Sequence, residues 1–101
     1  MIYEFRTSLI ASAGSTSAVT LKVTGGLMEQ LLIQANTSST VFRANLLDKF
    51  GTTRRQYSFS RGELNDVGSH LPVQGAVTIN ITNASPNDTF KVTFAVDESR
   101  A

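Results

Sequence analysis

Between the small-residue loop AGSTS (13–17) and the pair Gly25-Gly26, Val19, Leu21 and Val23 alternate with Thr20, Lys22 and Thr24. A side-chain period of two belongs to a strand with one buried face, because successive Cβ atoms point to opposite sides of a sheet. The same period recurs along the chain between turn signals. No useful length of sequence carries the 3.6-residue period of a helix. This patterning selects an all-β fold before any other property is considered.

Followed through the chain, the period predicts a first strand over residues 2–10, with Tyr3, Phe5 and Leu9 on one face and Glu4, Arg6 and Ser8 on the other. Gly25-Gly26 reads as a two-residue break joining hairpin strands. In LMEQLLIQA (27–35), parity places Leu27, Leu31 and Ile33 inward and Met28, Gln30, Leu32 and Gln34 outward. Its good helix formers allow a short helix as the competing reading. Glu29 falls on the inner face by the same count, or else marks a bulge.

Phe42, Ala44 and Leu46 form the next inner set, leaving Val41 and Leu47 outward. Tyr57 and Phe59 point inward from residues 54–60. The stretch 61–75 reads as a long irregular connection, since Pro72 argues against a central strand. The final strands cover 76–82, with Val77, Ile79 and Ile81 inward, and 89–96, with Phe90, Val92, Phe94 and Val96 inward. The whole predicts one domain over residues 1–101: an antiparallel β-sandwich of about seven or eight short strands with jelly-roll or Greek-key connections. Met28, Leu32, Val41 and Leu47 would form an outward apolar patch that invites cover by another subunit.

At 101 residues, such a domain buries roughly 60–70% of its unfolded surface, which leaves little area for a deep cleft. Ser and Thr supply 23 residues, compensating for a charged content of 17%. A net charge of +1 argues against general affinity for nucleic acid or anionic membranes. With no cysteine there is neither a disulfide framework nor a thiolate metal site. Glu4 and Arg6 interrupt the apolar core that a signal peptide needs, and no apolar run reaches the length of a membrane span. The expectation is a chain made in the cytoplasm.

Catalytic constellations are scarce. His70 is the sole histidine, and its neighbour Ser69 would point away from it along an extended chain. The eight carboxylates are scattered, most of them at turns or on alternating outer faces, and the tail DESRA (97–101) reads as polar and frayed. Asp48, Asn65, Asp66, Asn87 and Asp88 are the oxygen donors for a possible calcium loop, with Asn87 and Asp88 the minor candidates retained; Asx residues also suit turns for local reasons. Three Asn-x-Ser/Thr triplets in TINITNASPNDT (78–89) read as strand, turn and strand rather than as a glycan cluster. Lys49, Arg54, Arg55 and Arg61 form a run of cations without an acid, interleaved with Phe50, Tyr57 and Phe59. This run is a candidate docking edge for an acidic protein partner.

The elements GGLMEQLLIQA, DKFG, GELND, LPVQG and AVTINITNASPNDTFKVTF, spread over residues 25–96, resemble small β-sandwich proteins encoded among bacteriophage structural genes. Some of those are head decoration, or cement, proteins. The Leu-Pro-x-x-Gly lead-in and the short Asn/Asp turn also resemble jelly-roll prepeptidase C-terminal domains and carbohydrate-binding modules. The first resemblance implies a non-enzymatic virion protein without a cofactor, binding the major capsid protein or another virion protein and its own copies. The second implies a small module for carbohydrate or calcium, although a chain with no Trp and two Tyr offers few platforms for sugars. Contact in the first case is assigned to Arg54, Arg55 and Arg61, and to Ile2, Tyr3 and Phe5 in a leading strand that could extend a neighbour's sheet.

Overall fold

The computed structural model describes residues 3–11, 16–85 and 88–97, and of residues 3–11, 16 and 69 the backbone alone. Seven strands follow in chain order: β1 (Tyr3–Ala11), β2 (Thr16–Ala35), β3 (Val41–Leu47), β4 (Thr53–Gln56), β5 (Ser60–Arg61), β6 (Glu63–Ser85) and β7 (Thr89–Asp97). They form one antiparallel sheet in the order β1-β7-β2-β6-β3-β4, with β5 also on β3. The all-β expectation holds. Two strands, however, are far from short, at 20 and 23 residues.

These long strands organise the sheet. β2 and β6 pair from Thr16↔Thr82 to Gln34↔Glu63, with register shifts between Val23 and Gly26 and between Met28 and Gln30. Gly25-Gly26 therefore lies inside a strand at an irregularity and does not close a hairpin. The second half of β2 also pairs with β7, whereas β3 takes only the second half of β6. The curled sheet encloses Leu21, Leu31 and Ile33 of β2, Phe42, Ala44 and Leu46 of β3, Val77, Ile79 and Ile81 of β6, and Phe90, Val92, Phe94 and Val96 of β7. Phe42 and Phe90 meet edge to face, with ring centroids 4.9 Å apart, a favoured aromatic geometry.

Four local expectations are corrected. Met28 is buried, not outward. An extra residue at Glu29 resets the parity of β2, so Met28 and Leu31 share the inner face and the proposed apolar patch loses its largest member. Phe59 is 54% exposed and lies under the Arg43 guanidinium, 4.5 Å from the ring centroid. Its strand breaks at Tyr57, so the inward count does not reach it. Residues 63–75 are strand rather than irregular connection. Pro72 is tolerated because this half of β6 has β2 on one side and no strand on the other among the described residues. Asp97, expected in the polar tail, is buried.

The end of the molecule near the β6–β7 connection is tied by Asp88. Its Oδ2 accepts from Thr37 N–H (2.8 Å) and from the hydroxyl of buried Thr40 (2.9 Å), and its Oδ1 accepts from Thr89 N–H (2.8 Å). Desolvation acts to raise the Asp88 pKa, but these donors outweigh it and hold the carboxyl below its ordinary range. A folded-state value below the unfolded 3.8 contributes stability above that pH, lost as the pH falls through the folded value. Asp88→Asn should therefore remove the acid-induced loss of protection at the Thr37 amide, as read by hydrogen exchange. An unchanged acid limb in the variant would contradict this assignment.

Gly62 closes the adjoining turn, donating its N–H to Thr40 O (2.7 Å) while its carbonyl accepts from Ala35 N–H (2.8 Å). Its φ is +75°, and a Cβ there would lie 2.5 Å from the Ser38 carbonyl oxygen. Gly51 has a similar φ of +80° but open space around it. In urea denaturation, Gly62→Ala should destabilise by about 2–5 kcal/mol, combining left-handed strain and overpacking. Gly51→Ala should cost about 1–2 kcal/mol from strain alone.

Candidate binding groove

β3 ends in Leu46-Leu47 and runs into the turn Asp48-Lys49-Phe50-Gly51. Asp48 organises this turn. Its Oδ1 accepts from Phe50 N–H (2.9 Å) and Thr52 N–H (3.0 Å), and its own N–H donates to Thr52 O (2.9 Å). The result is an Asx-type turn that carries Phe50 outward, 81% exposed, with Lys49 Nζ 5.4 Å from the ring centroid. Arg54, on the returning strand, stands 3.8 Å from Asp48 Oδ2.

Across from this turn runs the Leu71–Gln74 part of β6, and between them lies a groove of about 830 Å³. Leu46 and Val77 reach it from the core, at 1% and 2% exposure, and Leu27, Leu47, Leu71 and Val73 complete its apolar lining. Asp48, Lys49, Arg54 and Gln74 supply charged and polar groups. The expectation that little area remains for a cleft is thus corrected. The groove forms because β3 pairs only with the second half of β6, so that the first half, paired with β2 on one side, has no strand among the described residues on the side that faces the β3–β4 turn.

Further along the same open side, Tyr57 Oη donates to Asp66 Oδ2 at 2.6 Å, and Arg55 Nη1 stands 3.7 Å from the same oxygen. These contacts join the segment after β4 to the edge of β6. Burial is the main cause that drives the Tyr57 phenol far above its ordinary range. The hydrogen bond to Asp66 and the negative charge of Asp66 act in the same direction, and Arg55 opposes them. At the β6 bulge, where residues 68–70 face Glu29, His70 has φ +55° and Nε2 lies 3.5 Å from Glu29 Oε1.

The residues singled out from sequence are distributed as follows. Arg54 lines the large groove, whereas its neighbour Arg55 lines a smaller hollow of about 370 Å³ with Tyr57 and Asp66. The cation run therefore does not make one patch: Asp48 and Asp66 pair with two of its members. Arg61 is exposed on β5, opposite Val41. Tyr3 and Phe5 belong to β1, at register with Asp97 and Ala95 of β7. Ile2 and Asn87 lie outside the described residues. Asp88 spends its carboxylate on three protein donors, and no group of three or more His, Asp or Glu placed to hold a metal occurs among the described residues. Sequence reasoning missed Leu47, Leu71 and Val73 as groove residues. The Leu71/Val73 alternation was the available signal, set aside because Pro72 lies between them.

No protein-family model matches the chain, and no curated protein matches it. Among solved structures, a chain in the structure of infectious bursal disease virus, Gt strain, resembles it with 13% identity and a TM-score of 0.30. The likeness covers 91% of this chain and 31% of that one, so this chain spans about a third of that chain's length.

The Tyr57–Asp66 contact yields a pH prediction. A phenol whose folded pKa is raised contributes stability that is intact below the unfolded value of 10.0 and declines as the pH rises above it. Tyr57→Phe should lower stability at neutral pH by about 1–3 kcal/mol, the range for a hydrogen bond to a charged partner or an orphaned acceptor. It should also flatten the alkaline decline in chemical denaturation; wild-type behaviour on both counts would rule the contact out as a structural tie.

Proposed function

We propose that this chain is a non-enzymatic structural protein of a phage particle, a decoration protein that binds the capsid lattice through protein–protein contacts. The observation that carries the reading is the asymmetry of the sheet's unpaired margins. β1 keeps an unbroken nine-residue register with β7, contains no Pro, and has no strand on its other side among the described residues. The unpaired half of β6 contains Pro72 and the bulge at 68–70, two devices that discourage edge-to-edge pairing. Of these two margins only that of β6 is guarded, which favours β1 over it as a site for strand addition by a capsid subunit or a second copy. Arg61, exposed on β5, offers a separate charge contact for such a partner.

Consecutive amides in a strand point to opposite edges, so one of Thr7→Pro and Ser8→Pro removes an outward N–H and spares the β7 ladder. With capsids of the phage that encodes the chain, the wild type should co-sediment at lattice stoichiometry. Whichever Pro variant keeps the wild-type circular dichroism spectrum should lose that occupancy. Full binding by the folded variant would overturn the edge assignment, and absence of wild-type binding would overturn the virion role.

A further inference from the structure

We propose that the groove between the β3–β4 turn and the first half of β6 binds a small anionic amphiphile: an apolar chain ending in a carboxylate. This does not depend on the virion role proposed above. Its volume of about 830 Å³ falls within the range of small-molecule sites. Its lining separates by chemistry. Leu46 and Val77 belong to the core and form the apolar interior with Leu27, Leu71 and Val73, while Lys49 and Arg54 bring positive charge to the β3–β4 side.

The charge around the groove is not self-neutralising. Asp48 is the one acid in the lining, and its carboxylate is already engaged by the Phe50 and Thr52 amides and by Arg54. Lys49 has the Phe50 ring beside it and forms no ion pair among the described residues. A carboxylate at Lys49, with its chain directed toward Val77, satisfies both parts of the lining.

The form of the occupant follows from the backbone of the opposite wall. An extended peptide would need a row of free N–H and C=O groups, but Pro72 has no N–H and the bulge at 68–70 interrupts the edge just before it. A ligand without a backbone loses nothing at that wall. The geometry thus favours a free amphiphile over a peptide segment.

The test is a titration of isotope-labelled full-length protein with decanoate below its micelle concentration, followed through the methyl resonances, with decan-1-ol as the uncharged control. Saturable shifts should concentrate on Leu27, Leu46, Leu71, Val73 and Val77, and decanoate should bind more tightly than decanol. Lys49→Glu replaces an exposed side chain. It should weaken decanoate by about two- to fivefold, the span for one exposed ion pair, and leave decanol unchanged. Leu47→Gln should weaken both ligands. Absence of shifts in folded protein at millimolar decanoate, or shifts centred elsewhere, would overturn the site. Equal binding of decanol and decanoate, with no effect of Lys49→Glu, would overturn the anionic assignment.

Discussion

The hydrogen-bond ladder between β2 and β6 is the element on which the other contacts rest, because each of these strands serves two neighbourhoods of the sheet in turn. The second half of β6, paired with the first half of β2, carries β3, while the second half of β2 carries β7 and, through it, β1. A ladder this long in unbroken register would run on as a continuously twisted ribbon, without the local bend that folds its two halves around one core. The shifts at 23–26 and 28–30 interrupt it, and bulges add bend and twist locally. Leu21 and Ile33, on opposite sides of both shifts, end up in the same hydrophobic cluster.

Small polar ties then hold the margins that the ladder cannot reach. Asp88 gathers the 36–40 turn to the start of β7, Gly62 joins that turn to the start of β6, and Tyr57 with Asp66 draws the segment after β4 onto the unpaired edge of β6. In a chain without disulfides, such ties replace covalent staples. Beside the Asp48 turn, where no such tie spans the gap among the described residues, the groove opens. It is bounded by an apolar core on one side and by a strand edge on the other.

Much of the strand pattern was legible in the residues. The inner sets of β3, the second half of β6 and β7 are as alternation indicates, because apolar residues occupy every second position without interruption. Parity failed where the backbone inserts a residue. Met28 and Glu29 cannot be assigned a face without knowing that β2 shifts against both β6 and β7 at that point. Pro72 misled for a related reason. A proline excludes a central strand, but a single strand that is central over one half and marginal over the other accommodates it. The groove was invisible because its walls, Leu46-Leu47 and Leu71–Val73, lie on segments whose juxtaposition depends on β3 stopping short along β6.

Taken alone, the sequence determines the all-β class, the positions of most turns and most of the buried residues, since each follows from side-chain period and local turn chemistry within a few residues. It also contains the Asp-initiated turn at 48–51, whose hydrogen bonds are local. Tertiary structure alone decided which acids meet which partners, as Asp66 meets the Arg55 guanidinium and the Tyr57 hydroxyl. It likewise decided which strand margin is guarded, and that a basic rim faces an apolar hollow. These are properties of long-range register, and one extra residue in a ladder moves every side chain beyond it to the other face.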